Sequence, residues 1–539
     1  MQFSIRFRYC NEHGSFDEPL ISLVNRICPA NCNFDSKIMI VIGILRWSFN
    51  YQREEIKNFL FSRGFSISTG EISNLSEEFL VRFYVLHKRS VPQMKALFEK
   101  NGGIRLHLDG TGEAGNEIVF MAKEGATGIT LDAQTITTEN KKYVKIFLQA
   151  LNLVYGAPIV IVRDMSKQIR DAATDIFPTV PHQICHYHFV KNLGNLIFKD
   201  RYAAFRKDVV NKRILSQLKR MKTDVCKRLC RGSENTLVVA ERKWVTLAIE
   251  HLLICRERSS NYPFVLPYLE IMERILMIQR LNLRIFEWNL SHNLECREII
   301  EFSDKLESIT CGADVNIQYA NIKTIWNWFE KIRAILRVGR HLSQNGCETT
   351  TPGNTQKMNE DLMVALSDIE NEGVARGGEL NRVARQMINN CKNHADELFV
   401  EVRNHLGNVV EIARDNNLEE RGHRWSRMHI RRRTGRTRTT NEMAHFGALT
   451  AIFSNMENEM YVKEVFSDVK DFIREMQDIS QDEIRKSRIL IKPYASKKMV
   501  HSDVKRSEFL ENFVALLEDG CLIGGWIFEF KISNPILTP

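Results

Sequence analysis

Two aspartates, Asp109 and Asp164, each end a short apolar run that is typical of a β-strand, "IRLHLD" (104–109) and "PIVIVRD" (158–164). Adjacent strands of one sheet would bring both carboxylates to the same edge, and we expect them within roughly 8 Å of each other. Paired carboxylates hold Mg²⁺ (or Mn²⁺), which completes its shell with water and substrate phosphate. The pair predicts metal-dependent phosphoryl transfer on a nucleic-acid strand. The alternative is that each aspartate only caps the turn that follows it.

The surrounding pattern predicts a sheet that could position this pair. Alternating runs at 104–109, 117–123 and 127–134 predict three consecutive strands, and helical periodicity follows at 141–156. A strand at 158–164, a helix at 166–177 and a short strand at 182–189 complete the segment. This order indicates a mixed sheet with helices packed on it. Residues 190–435 are almost entirely helical in pattern, so the fold class is α/β plus all-α.

Positive charge is concentrated in two segments. The chain has 539 residues and a net charge of +9. Residues 201–231 alone carry +9, and residues 421–438, with eight arginines and no acid, carry +8. Two such blocks favour binding of a phosphate backbone, whereas solvated helix faces are the alternative. The residues predicted to contact DNA are Arg431, Arg432, Arg433, Arg436 and Arg438.

The N-terminal region is helical in pattern from residue 37 to 86. Two helices joined by a Gly-containing turn match a helix-turn-helix, with Ser68–Leu75 as the recognition segment; an ordinary helical bundle fits equally well. Upstream, a C-x2-H…C-x3-C set could hold zinc. Its spacing fits only loosely, so free cysteines are favoured over zinc at Cys10, His13, Cys28 and Cys32.

Composition and hydropathy favour a soluble intracellular protein. The longest apolar stretches, such as "IMIVIGIL" (38–45), are far short of a bilayer span, so no membrane partner is expected. The N-terminus lacks a signal-peptide pattern. Twelve scattered cysteines without a disulfide-like framework suit a reducing cytosol. We expect a cytoplasmic, nucleoid-associated location.

Three segments carry a family resemblance: "LHLDGTGE", "IVRDMSKQIRDAATDIFPTVPHQICHYHFVKNLG" and "GRTRTTNEMAHFGAL". Together they resemble bacterial DDE-type insertion-sequence transposases, which are distantly Mutator-like and have an RNase H-like core. The resemblance implies that Asp109 and Asp164 are the first and second catalytic acids, and that residues 190–435 are a helical insertion before the third. It also implies a helix-turn-helix for terminal inverted repeats. Cys185 and His188 match the family's C-x2-H, for which packing or a position near DNA is favoured over zinc.

The third acid departs from the family pattern. The resemblance places a Glu three residues after the second Asn of Thr-Asn-Asn, and alignment through Asn441 and Phe446 puts Ala444 there. Glu442 is two residues away, which on a helix is about 200° apart, so the two face nearly opposite sides. Thr439 and Glu442 also fit a capping box, with Glu442 at N3. Glu442 as a metal ligand is the less favoured alternative.

The sequence therefore predicts a DDE-type transposase that cleaves and joins double-stranded DNA at terminal inverted repeats, as a homo-oligomer on DNA. A catalytically inactive or domesticated DNA-binding derivative is the alternative, and an RNase H-like nuclease on RNA lacks an aromatic stacking signature. The predicted domains are an N-terminal arm (1–35), a helix-turn-helix domain (36–100), the first part of an RNase H-like core (101–200), a helical insertion (201–435), the final core helix (436–470) and a tail (471–539).

Overall fold

The computed structural model describes residues 34–112, 117–231, 235–254, 262–292, 294–310, 313–338, 355–404, 407–410, 412–414, 417–466 and 468–491. These residues form two compact units. The first consists of the described parts of Met1–Cys185, Thr349–Thr355 and Val400–Pro539, and the second of those of His186–Glu348 and Gln356–Phe399. The molecule is mostly helical, with a five-stranded mixed sheet in the first unit.

Four helices precede the sheet: α1 (Ser36–Trp47), α2 (Arg53–Phe61), α3 (Thr69–Arg89) and α4 (Val91–Lys100). Each of the first three begins at a polar cap, and the Ser68 hydroxyl accepts a hydrogen bond from the Glu71 amide at 3.1 Å. Helix α1 packs closely on α3, because a Cβ on Gly43 would lie 2.1 Å from the Phe79 ring. The predicted recognition segment is thus only the first two turns of α3, a 21-residue helix whose later turns are mostly buried.

The sheet has the strand order β3-β2-β1-β4-β5. Its strands are β1 (Arg105–Gly112), β2 (Ile118–Glu124), β3 (Thr130–Ile136), β4 (Val160–Arg163) and β5 (His182–Ile184). Strand β2 pairs antiparallel with both β1 and β3, whereas β4 runs parallel to β1 and β5 runs parallel to β4. The C-terminal ends of β1, β3, β4 and β5 therefore lie at one edge of the sheet.

Helices cover both faces of the sheet. Helix α5 (Lys141–Tyr155) packs on one face, where the Phe120 and Phe147 rings meet edge to face at 5.3 Å. Helix α6 (Lys167–Ile176) contributes Ile169 to the same core, which also contains Ile161 of β4. On the opposite face, Val160 and Val162 form a separate apolar cluster with residues of the segment that follows Phe399.

The predicted strand over 182–189 is wrong beyond Ile184. The Cys185 amide donates to the Arg163 carbonyl at 2.8 Å and extends the parallel pairing, and helix α7 begins at His186. His186, Phe189, Val190 and Leu193 are all buried, and their i, i+3, i+4, i+7 spacing is that of a helix face. The period changes from two to 3.6 within the sequence "HQICHYHF".

The second unit contains helices α7–α14. Their bounds are α7 (His186–Asn211), α8 (Ile214–Cys230), α9 (Thr236–Leu253), α10 (Pro267–Ser291), α11 (Arg297–Thr310), α12 (Ala313–Ile335), α13 (Thr355–Arg376) and α14 (Gly378–Leu398). The buried His186 ring lies within hydrogen-bonding distance of the Leu336 and Leu398 carbonyls, at 3.2 and 2.9 Å. The unit boundaries fall at residues 186 and 399 rather than at the predicted 201 and 435.

The chain then returns to the first unit. Its elements there are β6 (Val402–Arg403), β7 (Val409–Val410), α15 (Asn417–Thr434), α16 (Thr440–Phe453), a 3₁₀ turn (Ser454–Glu457), α17 (Glu459–Val465), α18 (Val469–Gln477) and α19 (Gln481–Ile491). Helix α16 packs on the sheet face opposite α5, since a Cβ on Gly447 would lie 2.4 Å from Val119. In the described part of the chain, no helix combines the length and apolar character needed to span a bilayer.

Candidate active site

Asp109 lies in β1, and Asp164 directly follows β4, the strand that pairs with β1. In the parallel pairing of β1 with β4, Leu106 is opposite Ile161 and His107 opposite Val162. Continuing this register by two residues places Asp109 opposite Asp164. Neighbouring strands are about 4.8 Å apart, and side chains directly opposite each other share a face of the sheet. The register therefore brings the two carboxylates to the same edge and the same side.

Local hydrogen bonds orient each aspartate. Asp109 is 9% exposed, and its Oδ1 accepts from the Gly110 amide at 2.9 Å. Strand β1 continues three residues past Asp109, so the prediction that this aspartate ends its strand is wrong. Asp164 directly follows β4, and its Oδ1 accepts from the amide of Ser166, the N-cap of α6, at 2.8 Å.

Glu139 is a third carboxylate at this edge, and the sequence analysis missed it. It lies three residues after β3, whose C-terminal end shares an edge with that of β1. Its Oε1 lies 2.3 Å from the position that a Cβ on Gly110 would occupy, so its carboxylate lies against β1 at Gly110, on the face of the strand opposite to the Asp109 side chain. Burial first, and then the negative charges of Asp164 and Asp109, raise the pKa of Glu139 to about 7. We call Asp109, Glu139 and Asp164 the acidic edge.

The donor set of the acidic edge fits a hard divalent cation, because carboxylate oxygens are the ligands that Mg²⁺ takes in proteins. Burial and the charges of the two aspartates raise the pKa of Glu139, and a bound cation would offset the repulsion between these carboxylates. In the ranges that the structure describes, no three His, Cys, Asp or Glu side chains already form a group that could hold a metal ion. The donor atoms thus fit Mg²⁺ chemically, but the three carboxylates do not form one ligand group in this structure.

Glu442 belongs to a different cluster. Its Oε2 lies 3.4 Å from Arg433 Nη2, and the Arg433 guanidinium lies 4.0 Å from the centre of the Trp47 ring in α1. Glu442 raises the pKa of Arg433 and of Arg46, although burial lowers both pKa values to about 10. The charges that act on Glu139 are instead those of the two aspartates. The structure therefore groups Glu442 with arginines and α1.

The predicted capping box at the start of α16 is wrong in its side-chain contacts. Thr439 is the N-cap residue, but its side chain makes no capping hydrogen bond. It is 1% exposed, and the Glu442 carboxylate is turned toward Arg433. Glu442 therefore pairs with the buried Arg433 instead of forming the hydrogen bond of a capping box.

Ala444 lies on the side of α16 that faces the sheet. It precedes Gly447, which packs on Val119, by three residues, and Val119 is opposite Thr111 of β1. The C-terminal end of α16 leads to Asn455, whose side chain bonds the Thr130 backbone at the far edge of the sheet. The N-terminal turns of α16, with Ala444, therefore point toward the acidic edge.

The five predicted DNA-contacting arginines divide into two groups. Arg431, Arg432, Arg436 and Arg438 are exposed. Arg433 is 3% exposed, so it does not lie on the open surface with the other four. A further arginine that the sequence analysis missed, Arg427, donates from Nη2 to the Thr111 hydroxyl at 2.5 Å, two residues from Asp109.

The two cysteine-containing motifs have different outcomes. Cys185 is buried directly after β5, and His188 lies in the first turn of α7, where its ring is 5.3 Å from that of Tyr187. Neither belongs to a metal-binding group within the described residues. The candidate zinc residues Cys10, His13, Cys28 and Cys32 lie outside the described residues.

Part of the chain that contributes to this site matches a known protein family. Residues 121–192 match the MULE transposase domain. The matched segment extends from β2 into α7 and contains Glu139, Asp164, Cys185 and His188, whereas Asp109 and α16 lie outside it. The match supports a transposase. No curated protein matches the chain.

Proposed function

We propose that the chain is a DDE-type transposase that has an RNase H-like core and cleaves and joins DNA at transposon ends. The observation that carries this proposal is the register of β1 and β4, which sets Asp109 opposite Asp164 at the edge where the ends of β3 and β5 also meet. Asp164 lies within the residues that match a transposase domain. The sequence resemblance assigns the same two aspartates as first and second acids.

In this proposal, Asp109 and Asp164 hold Mg²⁺ or Mn²⁺. When bound, such ions activate the attacking oxygen and stabilise the leaving oxygen of a phosphodiester. The chain's own part is to fix the two carboxylates: the Gly110 amide orients Asp109, and the Ser166 amide orients Asp164. Arg427, bonded to Thr111 beside Asp109, places a positive charge where a substrate phosphate would lie.

Double-stranded DNA is the proposed partner. Helices α2 and α3 would act as a helix-turn-helix that reads terminal inverted repeats, with a homo-oligomer on DNA and a cytoplasmic, nucleoid-associated location. Within Ser68–Leu75, the exposed or half-exposed positions Ser68, Thr69, Ser73 and Asn74 carry polar side chains suited to base edges. The exposed arginines Arg431, Arg432, Arg436 and Arg438 would contact phosphates.

A catalytically inactive DNA-binding derivative is the second candidate, and a specific observation favours it. Ala444 is on the sheet-facing side of α16, near the acidic edge, and has no carboxylate, while Glu442 is held by Arg433. Without a carboxylate at the Ala444 position, the acidic edge would hold a second cation weakly. We therefore propose that this copy binds DNA and is impaired in cleavage.

The test is to incubate the full chain with a labelled terminal-repeat duplex in Mg²⁺ and to follow binding and nicking separately. Nicking that Asp109→Asn abolishes supports an active transposase, with Asp361→Asn, an exposed aspartate of α13, as the matched control. Binding without nicking supports the inactive derivative. A chain that neither binds nor nicks the duplex would contradict both candidates.

A further inference from the structure

A second group of charged side chains lines a cavity of ≈ 390 Å³ in the first unit. Helices α1, α2 and α3 form one side of it, and residues from the end of α15 and the start of α16 form the other. The lining includes four arginines, namely Arg46, Arg53, Arg433 and Arg436. We call it the arginine cavity. Its size is within the range of pockets that hold small ligands.

The charges that line the arginine cavity leave an excess of positive potential at Arg46. Three carboxylates also line it, namely Glu54, Glu77 and Glu442, so the lining has one more arginine than carboxylates. Glu54 pairs with Lys57 at 3.5 Å and Glu442 with Arg433 at 3.4 Å. Burial first, and then the positive charges of Arg433 and Arg53, lower the pKa of Arg46 to about 10, and Glu442 offsets these charges only in part. An anion in the cavity would relieve this crowding.

Arg433 provides a buried donor that calls for such an anion. It is 3% exposed, and its Nε makes no hydrogen bond with any residue that the structure describes. Trp47 lies under the guanidinium at 4.0 Å and fixes its plane. A buried donor without an acceptor is costly, and a charged oxygen is the acceptor that satisfies arginine best.

The remaining polar groups of the cavity are donors for the same ligand. Helix α3 begins at Thr69, which lines the cavity, so the positive end of the helix dipole lies at its wall. The Ser73 hydroxyl lines it as well and accepts from Arg53 Nη1 at 3.2 Å, which leaves its own proton to donate. Guanidinium groups, a hydroxyl and a helix N-terminus together are the donor set of a phosphate site.

We infer that the arginine cavity binds a phosphate group of the DNA backbone, an inference that rests on the proposed function. The cavity joins the start of α3, where DNA recognition is proposed, to the start of α16, which carries Ala444 and Glu442. A phosphate bound there contacts both segments at once. It therefore fixes the DNA relative to the helix that leads to the acidic edge.

The experiment measures binding of inorganic pyrophosphate to the full chain by calorimetry at constant ionic strength. Arg46→Gln should weaken binding by roughly 10–100-fold, the loss expected for a hydrogen bond between charged groups. Arg436→Gln, an exposed lining position that is not needed for packing, should also weaken it. The matched control is Arg382→Gln, because Arg382 is an exposed arginine of α14 that does not line the cavity.

The inference is overturned if pyrophosphate does not bind, or if it binds the native chain and all three variants equally. Displacement of pyrophosphate by a duplex of about 20 base pairs supports the DNA backbone as the source of the phosphate. Displacement by ATP but not by the duplex would overturn that source in favour of a free nucleotide. A duplex that displaces pyrophosphate but is never cut in Mg²⁺ contradicts strand transfer alone, so the two failures are distinguishable.

Discussion

The acidic edge and the arginine cavity are two charged clusters of opposite net sign in one compact unit. In the first, burial and two neighbouring carboxylates raise the pKa of Glu139 to about 7. In the second, burial and neighbouring arginines lower the pKa of Arg46 to about 10. Each cluster is suited to a ligand of the other sign, a divalent cation and a phosphate respectively.

The comparison also shows that the neighbours of a carboxylate decide its role. Glu442 is only two residues from the expected position of the third acid, Ala444. Its contact with Arg433 places it in the arginine cavity. Glu139 lies more than 300 residues upstream of that position, yet it reaches the acidic edge.

The largest expected effect is on metal affinity, which should distinguish the acidic edge from the arginine cavity. Asp164→Asn should weaken Mn²⁺ binding by on the order of 100-fold or more, because even outer-shell changes at metal sites cost 10–100-fold. Glu442→Gln should leave Mn²⁺ affinity unchanged. Titration calorimetry with Asp361→Asn as control measures both. Equal losses in Asp164→Asn and Glu442→Gln would remove the distinction between the clusters.

Glu442→Gln, which should not change Mn²⁺ affinity, should instead lower the stability of the fold. Glu442→Gln removes the carboxylate that pairs with the buried Arg433, so we expect a loss of about 1–3 kcal/mol in the free energy of unfolding. Urea unfolding followed by tryptophan fluorescence measures the change, and Glu99→Gln, at an exposed position in α4, is the control. An unchanged free energy of unfolding would mean that the Arg433–Glu442 pair is not structural.

The acidic edge should also make stability depend on pH. The pKa of Glu139 is about 7 in the folded chain against 4.5 for the ordinary carboxyl, so the folded state binds more protons between these values. Its contribution to stability is complete below pH 4.5 and is lost as the pH rises through 7. After discounting for partial exposure, we expect a loss of about 1 kcal/mol. Parallel pH profiles of the native chain and Glu139→Gln would contradict the shift.

The smallest effect concerns the two basic segments. Replacing Arg431 and Arg432 with alanine should lower the log–log salt slope of duplex binding by about 2, since each lost phosphate contact removes about 0.9. In the 201–231 segment, Arg201, Lys222 and Arg228 pair with Glu379, Glu250 and Glu298. Their substitution should change the slope less. A larger change from that triple substitution would reverse the ranking of the two segments.

Local patterns predicted most of the sheet. All five strands and the two aspartates are found near the predicted positions, because strand periodicity and strand ends are properties of short segments. Glu139 could not be found in this way. Its position depends on the parallel orientation of β3 and β1 across β2, and on the space that Gly110 leaves for its carboxylate.

Arg433 belongs to a buried helix face that the hydrophobic pattern of the sequence does not reveal. Ser426, His429, Ile430 and Arg433 are all buried and follow the i, i+3, i+4, i+7 spacing of a helix face. Only one of the four is apolar, so the face resembled a solvated one in the sequence. Burial of Arg433 depends on Trp47, which comes from a distant segment, and on Glu442 of the next helix.

The position of the third acid is the central claim, and strand cleavage tests it most directly. Cleavage of a labelled terminal-repeat duplex should be compared in Mg²⁺ and Mn²⁺ for the native chain, Ala444→Glu and Glu442→Gln. We expect Ala444→Glu to raise the cleavage rate by about 10²–10³-fold, the usual effect of one preorganised electrostatic contact in a transition state. Glu442→Gln should leave the low native rate unchanged. A native chain that cleaves readily and that Glu442→Gln silences would contradict the account and make Glu442 the third acid.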